Sequence, residues 1–275
     1  MNEVKVNPYQ PVLTTDYDFP TMECPLVTTK LFATDEQELS TPMKGIIRLD
    51  QKKVIAAVSD KYTLVPHKNV IDLAEKSLER YGSYKKEIYT THNGARLYGE
   101  YKLNDFNDHI DGDEVGAMLI IRNSYDASSS VSISVQGLRL LCLNGLMGMG
   151  TIFSHGKRHV GEIDMSEDVT SNISNALSDY KDSAIPFWKK LAENKLSKDA
   201  GISIIKTAAE DKIIPQKYED EIVDKWDTEA RILNSWILYN CFTFILTHTI
   251  KSRSYENYMN VSRKISMYFK ERFRM

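Results

Sequence analysis

The apolar residues change their spacing halfway along the chain, and this change limits the fold more than any other feature. Between residues 84 and 135, several runs alternate apolar and polar residues, as half-buried strands do. Beyond Ser166, apolar residues recur at i, i+3 and i+4, as in amphipathic helices. Strands followed by a block of helices predict an α+β fold, with a β-rich, mixed first half and an all-helical second half.

The same patterns give the expected elements. An Asn93-Gly94 pair predicts a hairpin turn, Pro66 opens a helix that ends at Gly82, and Pro186 kinks or divides a later helix. Strands are expected at 45–49, 54–58, 84–91, 96–103, 114–123 and 128–135. Further helices are expected at 138–147, 168–194, 197–211, 216–225, 228–250 and 255–273. We expect three regions: an extended lead (1–44), a β-rich core (45–161) and a helical region (162–275).

Composition indicates a folded protein in a reducing compartment. With 275 residues, 42% of them apolar, the chain buries a core without a disulfide or metal. Three cysteines stand far apart along the chain, an odd number without a CxxC pair, so no disulfide framework is indicated. Polar residues interrupt the longest apolar stretch, Trp236 to Ile250, which therefore predicts a buried helix rather than a membrane span. We expect a location in the cytoplasm, without a membrane partner.

Charge is distributed unevenly. Residues 251–275 carry seven basic and two acidic residues, a segment charge of +5, and the rest carries 28 basic and 36 acidic residues, a charge of −8. The basic end is either a phosphate-contacting tail or a solvated helix face, and charge alone does not decide between them.

Known catalytic and metal motifs do not fit. Gly150 to Gly156 has five intervening residues where a phosphate loop has four. His155 and His159 lack the glutamate of a zinc-protease helix and are expected to lie on a basic surface loop. The acidic run Asp105 to Glu114 lacks the calcium-loop spacing, and there is no G-x-S-x-G elbow. We therefore expect neither cofactor nor metal, and a binding protein rather than an enzyme, although an enzyme with a dispersed site stays open.

A binding pattern remains. Basic residues stand beside tyrosines on the predicted strands, which suits single-stranded nucleic acid, because cations follow the backbone while bases stack on rings. The alternative is that the tyrosines pack on the sheet and the lysines protect its edges.

Four segments together carry a family resemblance. Residues 122–126 read Arg-Asn-Ser-Tyr-Asp and precede Gly-Leu-Arg-Leu-Leu-Cys-Leu-Asn at 137–144; residues 58–65 read Val-Ser-Asp-Lys-Tyr-Thr-Leu-Val; and Trp236 to His248 is an apolar helix with Asn240 and Thr243. In this order they resemble the motifs of the phage- and plasmid-borne family called domain of unknown function 932. Ala127 stands where that family usually has glycine, which predicts a turn without a positive φ.

The resemblance implies a function in phages or mobile elements, where this family occurs. The family has also been likened to single-strand annealing proteins of the Redβ and Erf kind, which pack a helix on a bent β-sheet, oligomerise, and bind single-stranded DNA without metal or nucleotide. The resemblance therefore implies a bent antiparallel sheet with packed helices in the first half of the chain. We therefore expect binding, and annealing, of single-stranded DNA in recombination or replication, with a homo-oligomer as a further expectation. The expected phosphate contacts are Arg96, Lys102, Arg122, Arg139, Lys157 and Arg158. The expected stacking residues are Tyr98 and Tyr125, and the expected structural polar motif is Asn123, Asp126 and Asn144.

A second hypothesis belongs to another class. A net charge of −3 is low for a nucleic-acid binder. It favours a phage-encoded protein-binding module that inhibits a host defence or a nuclease, with a host or phage protein as its partner.

Overall fold

The computed structural model is an α+β fold, as the spacing of apolar residues predicts. It describes residues 12–28, 39–139, 153–161, 166–229, 231–248 and 255–273. Antiparallel sheets combine with helices, at 43% helix and 34% strand, and most of the helices lie in the C-terminal half.

Nine strands form two sheets within the described residues. Their bounds are β1 Val12–Leu13, β2 Thr21–Thr28, β3 Leu39–Arg48, β4 Lys53–Ser59, β5 Tyr84–Thr91, β6 Arg96–Ile110, β7 Asp113–Ser124, β8 Val131–Arg139 and β9 Phe153–Lys157. The six-stranded sheet has the order β1-β5-β6-β7-β8-β9, and the three-stranded sheet has the order β2-β3-β4. Each expected strand has a counterpart. However, β3 begins six residues before the predicted start at 45, β6 ends at Ile110 instead of 103, and β8 lies at 131–139 instead of 128–135.

Turn chemistry explains the hairpins. Asn93 and Gly94 connect β5 to β6 with φ values of +57° and +89°, a backbone that asparagine and glycine adopt most readily. A Cβ on Gly94 would stand 2.8 Å from the ring of Phe19, so glycine is required there. The residues before 45, which we expected only to be extended, supply β1, which pairs with β5, and β2, which pairs with β3.

Helices follow the predicted pattern with two differences. Their bounds are α1 His67–Leu78, α2 Ser166–Asp179, α3 Ile185–Glu193, α4 Lys198–Glu210, α5 Glu219–Asp227, α6 Ser235–His248 and α7 Tyr255–Arg272. A π-helical turn, Tyr180–Ala184, separates α2 from α3 just before Pro186, which confirms the predicted division. However, α6 begins seven residues later than the predicted helix at 228, and Leu138 and Arg139 end strand β8 instead of opening a helix. Residues 140–147 lie outside the described residues.

The chain packs as two compact units whose segments are not contiguous. Unit 1 comprises Met1–Tyr101, Ile120–Ile133 and His155–Thr170, and unit 2 comprises Lys102–Leu119, Ser134–Ser154 and Ser171–Met275. A core cluster of unit 1 includes Phe19, Ile46, Val58, Tyr62 and Tyr125.

Aromatic side chains build the core of unit 2. Trp188, Trp226 and Trp236 are fully buried. The Trp236 ring lies 5.8 Å from that of Trp188 and 6.2 Å from that of Tyr239. Among the helices of the described ranges, none combines the length and apolar character that crossing a membrane requires.

Candidate nucleic-acid interface

Strands β5, β6 and β7 present one face to helix α1 and the other away from it. Lys86 Nζ and the Tyr101 hydroxyl both reach Glu75 of α1, at 2.7 and 3.4 Å. Because neighbouring residues of a strand point to opposite faces, Tyr89 and Tyr98 lie on the side away from α1. We call this side the outer face; Tyr89, Thr91, Arg96, Tyr98, Glu100 and Arg122 define it.

A groove of about 300 Å³ opens on the outer face. Its lining residues are Tyr89, Thr91, Arg96, Leu97, Tyr98 and Glu100. The groove thus contains two of the residues that the sequence predicted to bind nucleic acid, Arg96 and Tyr98.

Hydrogen bonds hold the two tyrosine rings of the groove in place. The Tyr98 hydroxyl donates to Glu100 Oε1 at 2.9 Å, and the Tyr89 hydroxyl donates to Glu87 Oε2 at 3.2 Å. The ring centroids lie 6.3 Å apart. Arg122 places its guanidinium 5.2 Å from the centroid of the Tyr98 ring, within the range of a cation–π interaction. The pair brings an aromatic ring and a cation together on an accessible surface.

Arg96 is anchored by an ion pair at the edge of the groove. Its Nε donates to Asp126 Oδ2 at 2.6 Å, and the Ser128 amide donates to Asp126 Oδ1 at 3.1 Å. Burial acts to raise the pKa of Asp126, but the hydrogen bonds from Ser128 and Arg96 outweigh it and lower this pKa below its ordinary value. Asp126 therefore stays ionised and orients Arg96, whose side chain is 42% exposed.

The other predicted phosphate contacts do not line the groove. Lys102 follows Tyr98 and Glu100 on β6, and alternation places it on the same side of that strand. A Cβ on Gly156 of β9 would lie against Ser130 and Ser132. The next residue, Lys157, therefore points to the other face of the sheet from these serines. Arg158 is exposed beyond the end of β9. Arg139 ends β8, and its side chain lies outside the described residues, as does all of Asn144.

Tyr125 corrects the predicted site, because its side chain is only 1% exposed and cannot stack on a base. Its ring lies against His67, with centroids 3.9 Å apart and 11° between the planes, and the Phe19 ring packs edge-on at 5.9 Å. The His67 backbone N–H donates to the Tyr125 hydroxyl at 2.8 Å. Burial raises the pKa of this hydroxyl to about 12. Tyr125 belongs to the core.

Asn123 is buried, and its hydrogen bonds fix the protonation of His67. Its Nδ2 donates to the Val65 carbonyl at 2.7 Å and to His67 Nδ1 at 2.9 Å. His67 Nε2 lies 2.8 Å from the Gly94 carbonyl, which only accepts, so the imidazole is neutral with its proton on Nε2. Burial is the main cause that lowers the pKa of His67 to about 4.

The motif at residues 58–65 contacts both the motif at 122–126 and His159, all within unit 1. Tyr62, from the segment 58–65, donates its hydroxyl hydrogen bond to the Ser124 carbonyl. His159 stacks on the Tyr62 ring at 4.6 Å, and its Nδ1 lies 2.9 Å from the Thr63 carbonyl. At 5% exposure His159 is buried, so the expected surface position is wrong. Its pairing with Tyr62 spans almost a hundred residues, which no local pattern in the sequence reveals.

The turn after Asp126 also differs from the prediction. Ala127 has a φ of +56°, in the left-handed region that favours glycine. The alanine therefore adopts a conformation that glycine would adopt without strain.

The C-terminal motif is structural in unit 2. Trp236 Nε1 donates to Asp113 Oδ2 at 2.9 Å, and Arg231 Nη1 lies 3.2 Å from both oxygens of this buried carboxylate. Asn240 Nδ2 donates to the Trp236 carbonyl at 2.9 Å. These contacts place the motif residues in the core of unit 2.

Comparisons with known proteins give a family but no activity. A family model described as "Domain of unknown function (DUF932)" matches residues 54–267, well over half of the chain. No curated protein and no solved structure gives a significant match. In the described part of the chain, no three His, Cys, Asp or Glu side chains are grouped so that they could hold a metal ion.

Proposed function

Because the chain belongs to the DUF932 family, whose description names no activity, we propose a function from the site itself: the outer face binds single-stranded DNA. The observation that supports this most directly is the Arg122 guanidinium over the Tyr98 ring beside an open groove. A base stacks on Tyr98, and Arg96 and Arg122 contact the phosphates on either side.

The size and lining of the groove support one ring-shaped ligand group rather than a whole polymer. A volume of about 300 Å³ is at the lower end of the range for small-ligand sites. Stacking of one base on an aromatic ring contributes about 1–3 kcal/mol and tolerates any base. The hydroxyl bonds to Glu87 and Glu100 keep both rings oriented before a strand arrives.

Acidic residues on the outer face limit the electrostatic contribution to DNA binding. The ion pairs Lys85–Glu87 and Arg96–Asp126 balance much of the basic character, in agreement with the net charge of −3. If Arg96 and Arg122 neutralise two phosphates, log K falls with log salt with a slope of about −1.4. Binding that depends on stacking therefore weakens only moderately as salt rises.

The proposal extends to annealing of complementary strands during recombination or replication of a phage or mobile element, inside the host cytoplasm. This extension comes from the family resemblance. A strand-annealing assay with complementary oligonucleotides tests this extension separately. If the chain binds single strands but does not accelerate annealing, the binding proposal stands and the annealing proposal is contradicted.

Fluorescence anisotropy of a labelled oligonucleotide, single-stranded and as a duplex, tests the binding proposal. Tyr98→Ala should weaken single-strand binding by about 5- to 150-fold, the equivalent of about 1–3 kcal/mol. Tyr98→Phe keeps the ring but loses the hydrogen bond to Glu100, so its binding should weaken less than that of Tyr98→Ala. Tyr218→Ala is the matched control, because Lys217 lies 4.7 Å over the ring of that half-buried tyrosine in unit 2. Equal affinities for wild type and Tyr98→Ala, or no binding at micromolar protein in low salt, would contradict the proposal.

A second candidate function is a protein-binding module that inhibits a host defence or nuclease. The charge of −8 over residues 1–250 favours it, since an acidic surface suits a basic protein partner better than a phosphate backbone. If no oligonucleotide binds, inhibition of a host nuclease by the purified chain would support this function.

A further inference from the structure

The two tyrosine hydroxyls of the groove are acceptors toward a ligand. The Tyr98 hydroxyl donates its proton to Glu100 Oε1 at 2.9 Å, and the Tyr89 hydroxyl donates its proton to Glu87 Oε2 at 3.2 Å. A hydroxyl has one proton and two lone pairs. With the proton engaged by a carboxylate, each tyrosine oxygen can only accept a hydrogen bond from a molecule in the groove.

Glu100 adds a carboxylate to the same wall of the groove. It is half-buried and lines the groove two residues after Tyr98 on β6, so both side chains point to the same side. A carboxylate donates no hydrogen bond and accepts at about four lone pairs, so the bond from Tyr98 does not saturate it. Glu100 therefore stands ready to accept beside the ring on which a base stacks.

Glu87 holds a tyrosine in the same way but stands outside the groove. Its Oε1 pairs with Lys85 Nζ at 2.8 Å, and its Oε2 accepts from Tyr89. Both oxygens are thus engaged within the protein, and the described residues that line the groove do not include Glu87. Of the two carboxylates, Glu100 is the one that a ligand in the groove meets.

The donors of the lining stand at the other end of the groove. Thr91 ends β5 and Arg96 begins β6, so both lie beside the hairpin turn. Glu100 is four residues further along β6, about 13 Å away along the strand. Arg96 Nε is bonded to Asp126, and the proposed function assigns the remaining donors of Arg96 to a phosphate. The ligand edge that faces Glu100 thus meets acceptors.

We propose that Glu100 selects the base: the groove prefers bases with an exocyclic amino group, which are cytosine, adenine and guanine, over uracil and thymine. The selection rests on the proposed function, in which the outer face binds single-stranded DNA. An amino group donates to the carboxylate and to the tyrosine oxygens. Uracil and thymine offer one ring N–H between two carbonyl oxygens, whose lone pairs repel those of the carboxylate. Uracil still stacks on Tyr98, since stacking tolerates any base, so it binds more weakly rather than not at all.

Competition measured by fluorescence anisotropy tests this selection. The competitors are two unlabelled single-stranded oligonucleotides of equal length, one with deoxycytidine and the other with deoxyuridine at every position. Mildly alkaline pH keeps cytosine neutral. The two bases share one ring, and the amino group of cytosine is a carbonyl oxygen in uracil. The wild type should bind the cytosine strand about tenfold more tightly, the low end of the range for a hydrogen bond to a charged group, because the groove is open.

Glu100→Gln should reduce this preference to less than about twofold, because its amide oxygen still accepts from Tyr98 while its N–H2 group donates to a uracil carbonyl. Glu87→Gln is the matched control. It removes the same charge from a neighbouring strand outside the groove, so it should keep the preference of the wild type. The ratio of the two affinities cancels the general effect that a lost negative charge has on phosphate binding.

Two results would overturn the selection by Glu100 and leave single-strand binding intact. One is a wild type that binds the two strands equally well. The other is a preference for cytosine that Glu100→Gln leaves unchanged, which would assign the preference to another group. If neither strand binds, the selection and the proposed function are contradicted together.

Discussion

Replacing His67 by glutamine should remove the part of the acid sensitivity of the fold that the protonation of His67 causes. The neutral imidazole accepts from Asn123 Nδ2 and lies against the Gly94 carbonyl, fully buried. Glutamine offers one acceptor and one donor at similar positions but does not titrate. The exchange therefore retains the two hydrogen bonds and removes the proton site.

The pKa of His67 gives the magnitude. It is lowered from 6.5 to about 4, mainly by burial, with repulsion from His159 adding to the effect. The unfolded chain thus binds more protons than the folded chain between these values. The contribution of neutral His67 to the free energy of unfolding is fully present above pH 6.5 and falls as the pH is lowered towards 4. The total loss is about 3 kcal/mol, of which about 2 kcal/mol falls between pH 7 and 5.

Urea unfolding of both chains at pH 7 and pH 5 measures this contribution. Wild type should lose about 2 kcal/mol more than His67→Gln over this interval. The lowered pKa of His159 acts in the same direction, but it is present in both chains and cancels in the comparison. If the variant does not fold, an NMR titration of the His67 imidazole in wild type gives the pKa directly. Equal losses in the two chains, or a His67 that titrates near 6.5, would refute the reasoning.

Two further predictions concern single backbone positions. Ala127→Gly should stabilise the chain by about 0.5–1 kcal/mol, because it relieves a left-handed alanine at φ +56°; a lower urea midpoint would contradict this. Gly201→Ala should destabilise it by about 2–3 kcal/mol, although alanine favours helices, because its Cβ would stand 2.2 to 2.5 Å from three atoms of the buried Trp226 indole. A stabilised Gly201→Ala variant in thermal unfolding would show that the indole moves aside.

Local patterns predicted the strands and helices whose apolar residues recur at a regular spacing. Strand β5 has the predicted bounds, and β7 differs from its prediction by one residue at each end. Pro186 marked the division between α2 and α3. In each case the signal lies within a few residues, where backbone sterics and alternation act.

Misses arose where the deciding contact is distant or the local signal is ambiguous. Pro25 interrupts any strand pattern in the lead, yet an edge strand tolerates it. The apolar run at Leu138 fits a strand as well as a helix. Tyr125 and His159 are buried by partners far away in the sequence, His67 and Tyr62, so composition suggested exposed positions for both.

The grouping of three candidate site residues could be predicted from the sequence, and their role in nucleic-acid binding stays a prediction. Arg96, Tyr98 and Arg122 do lie together, because they alternate on one face of adjacent strands. The acidic partners Glu87 and Glu100 were missed, although the same alternation places them on that face. They matter because they orient the rings and reduce the positive charge.

Photocrosslinking of a single-stranded oligonucleotide that contains 5-iodouracil, followed by mass spectrometry of the peptides, tests the central proposal most directly. Bases that stack on the outer face should crosslink to Tyr98 or Tyr89, and the Tyr98→Ala variant should lose the first of these crosslinks. Crosslinks confined to the basic segment Lys251–Met275 would contradict the account and assign nucleic-acid contact to the C-terminal end.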